Sequence, residues 1–323
     1  MAKNFVDYFK TIKKLGEGTS GKVILATTKS KYKKFPEGSL VAVKLIKFGS
    51  ETKEKIIKDA DKEIDILKDV SFIDTGCNSG IVCYYDSFVV NFGKISRDFY
   101  AIVMEYVEGY SLEDFISSLD KSFEKIHLPN MGTHIFTYDI TSIFSNEQIH
   151  KFMLYLSKTL EFLHTRNIVH RDIKTANIML SKSDNAIKYI DFGFACFTAV
   201  DHTHECEEKG IGTPVNLSPE LWLIYQRKIT KLPKPQLFEL YKKADVWALG
   251  ITFYELLFGI LPPEIEEFEF SSDIAKAVLD KTMSFPTKFN GNPKLVDVVK
   301  HMLIKDYKTR SSMNEVVNEL NKI

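Results

Sequence analysis

The first hundred residues alternate short apolar runs with turn-forming residues. Runs rich in Val, Ile, Tyr and Phe, residues that favour β-strands, occupy positions 22–28, 39–48, 81–90 and 99–107. The segment 51–70 differs, because its apolar residues recur at steps of three and four, as on one face of a helix. Those positions are 56, 60, 64, 67 and 70. The pattern therefore predicts a small β-rich lobe with one main helix.

After about residue 108 the periodicity becomes helical. Apolar-periodic segments at 146–165, 243–260 and 296–306 predict helices. Two stretches, 117–145 and 225–243, contain helix-breaking or turn-forming residues and are predicted to be exposed insertions. Together the two halves predict an α+β fold in which the second lobe is larger and mainly α-helical.

Composition agrees with an ordinary globular protein. The chain has 323 residues, 44% of them hydrophobic and 27% charged, and its 43 basic side chains balance 43 acidic ones. A zero net charge gives no overall field that would favour nucleic acid or an anionic membrane as a partner. Lys outnumbers Arg 38 to 5, which indicates an AT-rich coding sequence, as in a protist or a large DNA virus.

The N-terminus lacks the apolar core of a signal peptide, and the longest apolar run, 248–261, is too short to span a bilayer. Four cysteines at 77, 83, 196 and 206 do not suggest a disulfide framework in a chain of this size. We therefore expect a monomer in a reducing intracellular compartment, the cytoplasm (the host cytoplasm for a viral protein).

The stretch "CFTAVDHTHEC" (196–206) raises the question of zinc, because Cys196, His202, His204 and Cys206 are of the types that bind it. Their spacing lacks the Cys-x₂-Cys pair of common zinc folds. A polar loop is therefore the main interpretation. A zinc site and a Cys196–Cys206 disulfide remain as alternatives.

A glycine-rich stretch, "LGEGTSGKV" (15–23), places Gly16, Gly18 and Gly21 between two extended runs. Glycines at this spacing let backbone N–H groups approach a phosphate with no Cβ in the way. A dinucleotide-binding glycine motif would open a helix, whereas a strand follows here. The stretch suits a lid over a nucleotide, and a simple turn between strands is the alternative.

Lys44 lies inside the apolar strand "VAVKLI", and Glu63 lies on the apolar face of the predicted helix. A Glu that faces inward needs a partner, because burying an unpaired charge is costly. Lys44 is the natural candidate, although a strand Lys can also point to solvent.

Two further motifs carry polar residues between apolar runs. In "IVHRDIKTANIML" (168–180), Asp172 can orient a hydroxyl group and accept its proton, and Lys174 can neutralise phosphate charge. Asn177 and Asp191, the latter from "IKYIDFGFA" (187–195), offer the oxygen ligands that Mg²⁺ prefers. Exposed polar turns are the alternative interpretation of each motif.

The order of these motifs resembles that of eukaryotic-type protein kinases of the Ser/Thr group. After the glycine turn, Lys44 and Glu63 come "HRDIKTAN", "DFG", "GTPVNLSPE" (212–220), "DVWALG" (245–250) and Arg310. The resemblance covers roughly residues 8–318. It implies a bilobal protein-kinase fold, with an ATP-binding N-lobe at 8–107 and a catalytic, substrate-docking C-lobe at 108–320.

The resemblance also implies roles for individual residues. Lys44, paired with Glu63, would contact the α- and β-phosphates of ATP, Asp172 would be the catalytic base, and Asn177 and Asp191 would bind Mg²⁺. The nucleotide-binding positions would be Leu15, Gly16, Glu17, Gly18, Thr19, Ser20, Gly21, Lys22, Val23, Ala42, Met104, Glu105, Val107 and Met179. Of these, Met104 matches the gatekeeper, Glu105 and Val107 the hinge, and Val23, Ala42 and Met179 the adenine faces.

The remaining motifs imply supporting contacts. Glu220 would pair with Arg310, and Asp245 would brace the backbone of the catalytic loop. The activation segment would run from Gly193 to Pro219, with Thr198 and Thr203 as phosphorylation sites. Because acidic residues stand near its end, we hypothesise that Glu207 or Glu208 faces Arg171 in place of a phosphate.

The implied activity is Mg²⁺-dependent transfer of the γ-phosphoryl group of ATP to protein Ser or Thr hydroxyls. Lys174 and Thr213 match the Ser/Thr group rather than the tyrosine kinases. A pseudokinase that serves as an ATP-binding scaffold is the alternative, although its usual losses, the strand Lys or either catalytic Asp, are not seen here. A small-molecule kinase is disfavoured by the "GTP…PE" and "DVWALG" blocks.

Overall fold

The computed structural model describes residues 3–18, 21–48, 53–73, 80–92, 98–119, 124–128, 133–200, 202–266, 268 and 270–323. The chain forms two compact units. The β-rich unit comprises Met1–Gly109 and Ser181–Gly193, and the helical unit comprises Tyr110–Leu180 and Phe194–Ile323.

The strands are β1 (Lys3–Asn4), β2 (Phe9–Gly18), β3 (Gly21–Thr28), β4 (Leu40–Lys47), β5 (Tyr84–Asn91), β6 (Asp98–Glu105), β7 (Gly109–Ser111), β8 (Glu124–Leu128), β9 (Thr133–Thr137), β10 (Ile168–Val169), β11 (Ile178–Ser181), β12 (Ile187–Tyr189) and β13 (Cys196–Phe197). The helices are α1 (Phe5–Tyr8), α2 (Lys53–Ile73), α3 (Leu112–Ser118), α4 (Asn146–Thr165), α5 (Pro219–Tyr225), α6 (Lys234–Phe258), α7 (Pro263–Glu266), α8 (Ser271–Asp280), α9 (Pro293–Met302) and α10 (Met313–Leu320). Single 3₁₀ turns lie at Ile140–Ser142, Thr175–Asn177 and Pro214–Asn216.

The β-rich unit is built on a six-stranded sheet in the order β1-β5-β6-β4-β3-β2. The four predicted strands are present as β3 to β6, and their neighbours pair antiparallel. Strand β2 is the extended run expected before the glycine turn, but its bounds were not predicted, because most of its side chains are exposed and polar, as edge strands often are. One face of the sheet packs on an apolar core that includes Phe5, Phe9, Ile24, Val43 and Val103.

Helix α2 confirms the predicted periodicity. Its apolar positions 56, 60, 64, 67 and 70 are all buried. Glu63 is only 4% exposed, as predicted from its place on the same face. The helix therefore carries a carboxylate on its buried side.

In the helical unit, α4 has the predicted bounds. Ser145 caps its start by accepting a hydrogen bond from the Gln148 N–H, and the Gln148 side chain bonds back to the Ser145 N–H. Helix α9 begins at Pro293, three residues before the predicted start, because the Asn292 side chain caps it there.

The predicted insertions are only partly irregular. Helix α6 begins at Lys234, so the prediction of an insertion through residue 243 is wrong for its second half. Pro235 does not interrupt the helix because a first-turn residue needs no N–H partner. Within 117–145, β8 and β9 form an antiparallel pair, and residues 120–123 and 129–132 lie outside the described residues.

The predicted α+β class is confirmed, with strands dominating one unit and helices the other. Helix α6 is buried along most of its length. Within the described part of the chain, no helix combines the length and apolarity that a bilayer crossing needs.

Candidate active site

The glycine-rich stretch forms the end of the β2–β3 hairpin, in which Gly18 pairs with Gly21. Gly21 has a φ of 132°, and a Cβ added there would lie 2.7 Å from the Leu45 carbonyl oxygen, so the position requires glycine. A Cβ on Gly16 or Gly18 would meet no atom of the described residues within 4 Å, apart from those of its chain neighbours. The open space beside these two glycines leaves their backbone accessible to a ligand.

The other predicted residues of this hairpin are mostly exposed. Leu15, Glu17 and Lys22 lie at the surface, and Val23 is half-buried. A hydrogen bond from Lys14 lowers the pKa of Glu17. Thr19 and Ser20 lie outside the described residues.

Lys44 stands on the sheet face opposite the aromatic core, since side chains alternate along β4. Its Nζ lies 2.8 Å and 2.7 Å from the two carboxylate oxygens of Glu63, so the predicted contact is present. The same Nζ donates to Asp191 Oδ1 at 2.9 Å. Burial would lower the pKa of Lys44, but Glu63 and Asp191 outweigh it and raise that pKa. Lys44 is therefore a buried, charged ammonium group between two carboxylates.

Asp191 follows β12 in a left-handed conformation, with a φ of 57°. Such a conformation is uncommon outside glycine and concentrates at functional sites. Its Oδ1 also accepts a hydrogen bond from the Gly193 N–H at 3.3 Å. The side chain is 39% exposed, which leaves it accessible to a cation.

The predicted hinge lies at the end of β6. Met104 pairs with Ala42 across the sheet, and both are buried, as is Val107. The Glu105 N–H donates to the Cys83 carbonyl at 2.9 Å.

The Glu105 side chain has a role that sequence reasoning missed. It accepts hydrogen bonds from Lys188 Nζ at 2.8 Å and 2.9 Å and from the Cys83 N–H at 3.1 Å. Lys188 is buried. The sequence feature that could have indicated this ion pair is a Lys between apolar residues of a short strand, the same pattern that singled out Lys44.

In the helical unit, the Asp172 carboxylate is buried and bonded at both oxygens. Oδ1 accepts from the Thr213 hydroxyl at 2.7 Å and its N–H at 3.1 Å. Oδ2 accepts from Asn177 Nδ2 at 2.9 Å and lies 3.1 Å from Lys174 Nζ. Lys174 also donates to the Thr213 hydroxyl at 2.8 Å. The structure thus brings three predicted residues and Thr213 into one network.

The loop that carries Asp172 is held by a buried carboxylate, as predicted. Asp245 accepts the backbone N–H groups of His170 and Arg171, each at 2.8 Å. His164, which the sequence did not single out, lies 3.1 Å from the same carboxylate. The backbone of Arg171 is in the left-handed conformation, with a φ of 63°. Residues other than glycine disfavour this conformation, so the surrounding contacts hold the loop in it.

Two supporting contacts lie in the "GTPVNLSPE" stretch, at Gly212 and at Glu220. Gly212 has a φ of 135°, and a Cβ there would lie 2.7 Å from the Arg171 carbonyl oxygen, so "GTP" approaches the catalytic loop through a glycine. The predicted Glu220–Arg310 pair is confirmed, with two hydrogen bonds of 2.7 Å and 2.9 Å.

Arg171 does not have the expected carboxylate arrangement. Its Nε donates to the Phe194 carbonyl at 2.7 Å, and its guanidinium group lies 5.3 Å from the centre of the Tyr241 ring. Burial lowers the pKa of Arg171, and nearby Tyr241, Asp245 and Glu207 partly oppose that shift.

The two glutamates lie elsewhere. The Glu208 carboxylate accepts backbone N–H groups of Lys231 and Leu232, each at 3.0 Å, and Glu207 pairs with Lys209. The hypothesis that Glu208 faces Arg171 is therefore wrong, because its oxygens are already used. Glu207 contributes to Arg171 through its negative charge, which opposes the lowering of the Arg171 pKa.

The stretch 196–206 contains a disulfide between Cys196 and Cys206, whose Cα atoms are 5.1 Å apart. Cys83 is disulfide-bonded as well. The disulfide alternative for this stretch is thus confirmed, whereas the expectation of reduced cysteines is wrong, and so is the zinc alternative, since the sulfurs are bonded to each other. Among the described residues no cluster of three His, Cys, Asp or Glu side chains could hold a metal.

The last predicted nucleotide-binding residue, Met179, lies half-buried in β11 of the helical unit. Asn177, in the turn before it, directs both N–H groups to Asp172, at the main-chain oxygen (2.8 Å) and at Oδ2 (2.9 Å). Because both bonds come from Nδ2, the Asn177 Oδ1 takes no part in them, and it is the atom that would bind a metal ion.

Comparison with known proteins gives one consistent result. A family model described as "Protein kinase domain" matches residues 9–320. The chain is 31% identical over 262 residues, 81% of its length, to the serine/threonine-protein kinase shk2 of Schizosaccharomyces pombe. It is 33% identical over 78% of its length to mouse Nek5, and 29% identical over 97% to PAK mbt of Drosophila melanogaster.

The matched relatives are considerably longer than this chain. It spans 35% of shk2, 31% of Nek5 and 39% of PAK mbt. The similarity therefore covers less than half of each of these proteins.

Proposed function

The chain belongs to the protein kinase family, and we propose that it transfers the γ-phosphoryl group of ATP to Ser or Thr hydroxyls of protein substrates. The observation that carries this proposal is the buried Asp172 carboxylate, bonded by Asn177 and Thr213 and flanked by Lys174. A carboxylate fixed in this way is suited to orient a hydroxyl group and to accept its proton.

In the helical unit, the proposed reaction begins when the acceptor hydroxyl donates a hydrogen bond to Asp172. The oxygen of the acceptor hydroxyl forms a bond to the γ-phosphorus, and the bond from that phosphorus to the β–γ bridging oxygen breaks. The hydroxyl proton passes to Asp172. ADP is the leaving group. Lys174 stabilises the negative charge of the transferred phosphoryl group, as electrostatic catalysis of this reaction requires.

In the β-rich unit, Lys44 binds the α- and β-phosphates. Its ion pair with Glu63 fixes the position of a long, flexible side chain inside the unit. The open space beside Gly16 and Gly18 leaves room for phosphate oxygens at the backbone N–H groups. Ala42, Met104 and Val107 supply the apolar surface expected around adenine, with Val23 and Met179 as further adenine contacts.

Divalent metal is part of the proposal, and Mg²⁺ is the ion we propose. Asn177 and Asp191 would hold it, and their side chains fit because each offers oxygen. When bound, the ion neutralises phosphate charge. The protein itself orients these oxygens: Asp172 holds the Asn177 amide, and Lys44 holds the Asp191 carboxylate.

Lys174 and Thr213 support a Ser/Thr rather than a Tyr acceptor, because both match the Ser/Thr group, and their side chains bond to each other beside Asp172. We keep a cytoplasmic location as part of the proposal, because ATP is an intracellular nucleotide. The lobe boundaries at 8–107 and 108–320, the monomeric state and the exclusion of nucleic acid and membrane stay predictions.

The proposal is tested with purified protein, γ-labelled ATP, Mg²⁺ and a generic basic-protein substrate. Wild type should label the substrate on Ser or Thr, as determined by phosphoamino-acid analysis. Asp172→Asn should lower kcat by about 10²- to 10⁴-fold, and Asp191→Ala should abolish the Mg²⁺-dependent rate. Asp297→Asn, at an exposed ion pair with Lys300, is the matched control. ATP binding without turnover by wild type would support a pseudokinase instead.

A further inference from the structure

The end of the activation segment, residues 205–210, is bonded to residues 231–241 of the same unit. Glu208 accepts the N–H groups of Lys231 and Leu232, each at 3.0 Å, and Glu205 pairs with Lys234 at 2.7 Å. The first contact joins a side chain to backbone in the stretch that was predicted to be an exposed insertion. The end of the activation segment is thus held by contacts within the helical unit.

Tyr241 stands at the centre of this contact. It is fully buried, and its Oη lies 2.7 Å from the Glu207 carbonyl oxygen and 2.9 Å from that of Lys209. The same oxygen accepts the Lys209 N–H at 2.8 Å. Burial raises the pKa of Tyr241, so the hydroxyl keeps its proton and can donate. One hydroxyl group therefore engages the backbone on both sides of residue 208.

The ring of Tyr241 also meets the catalytic loop. The Arg171 guanidinium group lies 5.3 Å from the ring centre, within the range of a cation–π contact. Arg171 Nη1 is buried, and it has no hydrogen-bond partner among the described residues. The ring thus covers the Arg side chain for which a charged partner was expected.

The segment is fixed tightly just beyond these contacts. A Cβ on Gly210 would lie 2.5 Å from the Leu221 carbonyl oxygen and 2.7 Å from the Tyr225 nitrogen, so this backbone packs directly on α5. Three residues later, Thr213 bonds to Asp172. A change in the position of residues 207–210 would therefore be transmitted along a short backbone path to the proposed base.

The predicted phosphorylation sites do not supply an alternative anchor. Thr198 is buried, and its N–H donates to the Asn167 carbonyl at 2.6 Å. Thr203 is exposed, in the loop closed by the Cys196–Cys206 disulfide. Among the contacts of the described residues, those of Tyr241 reach both Arg171 and the backbone of residues 207 and 209.

We infer that Tyr241 is a positioning residue, which holds the end of the activation segment against the catalytic loop and replaces the phosphate that Arg171 would otherwise bind. The inference rests on the proposed kinase function. It means that the chain is active without phosphorylation of its activation segment.

Tyr241→Phe tests the inference, because it keeps the ring on Arg171 and removes only the hydroxyl. Tyr225→Phe removes a hydroxyl from an exposed tyrosine of the same unit and is the matched control. All proteins are treated with phosphatase, and the absence of phosphate is verified by intact mass. Wild type and Tyr225→Phe should phosphorylate the basic-protein substrate at equal rates. Tyr241→Phe should lose about tenfold in kcat, the effect of one buried hydrogen bond, with the KM for ATP unchanged.

Hydrogen exchange gives a readout that does not depend on activity. Peptides that cover residues 205–212 should be protected in dephosphorylated wild type and should exchange faster in Tyr241→Phe, while α4 peptides stay unchanged. Equal exchange and equal kcat in the two proteins would overturn the inference, as would wild type that loses activity on dephosphorylation. Wild type that is inactive with and without phosphate, yet protected at 205–212, would count against the kinase function and leave Tyr241 as the anchor of the segment.

Discussion

Arg310 and Glu220 form a two-point ion pair inside the helical unit, although 90 positions separate them in the sequence. The other donors of the guanidinium group reach the carbonyl oxygens of Lys243, Ile304 and Lys305. Arg310 is 1% exposed and Glu220 is 3% exposed. A buried pair of this kind is stable only while each charge keeps its partners.

Removal of one partner should therefore be costly. Arg310→Met is expected to lower the free energy of unfolding by about 3–5 kcal/mol, because Glu220 is left buried and unpaired. Urea denaturation measures this difference. Lys151→Met is the control, since it breaks an exposed pair with Glu147 and should cost less than about 1 kcal/mol. The double variant Arg310→Met/Glu220→Leu should recover part of the loss, and equal costs for Arg310→Met and the control would contradict the argument.

Gly21 and Gly18 form a matched pair on opposite sides of one hairpin. Gly21→Ala should destabilise the β-rich unit by about 1–3 kcal/mol, since the residue has a left-handed φ and its Cβ would clash with the Leu45 carbonyl. Gly18→Ala should leave stability within about 0.5 kcal/mol of wild type. Thermal unfolding distinguishes the two. If the proposed function is right, Gly18→Ala raises the KM for ATP. A normal KM in this variant would refute the role of Gly18 in binding phosphate.

Lys44 and Glu63 should behave as one unit in kinetics. Lys44→Met removes the proposed phosphate contact, and Glu63→Gln weakens only the group that holds Lys44. We expect the double variant to have nearly the same kcat/KM for ATP as Lys44→Met alone, because residues that act together are not additive. Independent, additive losses would show that Glu63 acts by another route.

The sequence predicted the contacts that follow from local periodicity. Glu63 could be placed inward because a helical face is fixed by steps of three and four residues, and a buried carboxylate needs a cation. The bounds of α4 followed from its apolar repeat, and in the structure Ser145 caps its start. In both cases a few neighbouring residues determine the outcome.

Contacts between distant segments were not predictable in this way. Strand β2 is an edge strand with mostly polar side chains, so its pairing rather than its composition defines it. The Tyr241 hydroxyl bonds to backbone groups, which any residue at positions 207 and 209 would offer. The Cys196–Cys206 disulfide depends on the pairing of Phe197 with the 204–206 stretch, which brings the two Cα atoms together.

The cap of α10 predicts a pH dependence. Glu315 accepts hydrogen bonds from the Ser312 N–H at 2.7 Å and the Ser312 hydroxyl at 2.8 Å, and these bonds lower its pKa from the ordinary value of 4.5. A lowered pKa in the folded state contributes stability above the ordinary pKa, and this is lost as the pH falls through the folded-state value. Glu315→Gln should therefore cost about 0.5 kcal/mol at pH 7, and the difference from wild type should vanish in acid.

Urea denaturation at pH 7 and in steps below pH 4.5 measures this difference. Glu37→Gln, at an exposed turn, serves as the control for the general loss of a carboxylate. A Glu315→Gln difference that stayed constant with pH would contradict the assigned cause.

The Cys196–Cys206 disulfide should stabilise the helical unit. It closes a loop with a sequence separation of 10, for which restriction of the unfolded chain predicts about 3 kcal/mol. Cys196→Ser/Cys206→Ser should lower the Tm of the protein accordingly. Dithiothreitol, which is oxidised to its cyclic disulfide as it transfers two electrons and two protons to the cysteines, should lower the Tm of wild type more than that of the variant. The variant is the necessary control because Cys83 is also disulfide-bonded. An equal effect of the reductant on both proteins would show that the 196–206 disulfide contributes nothing to stability.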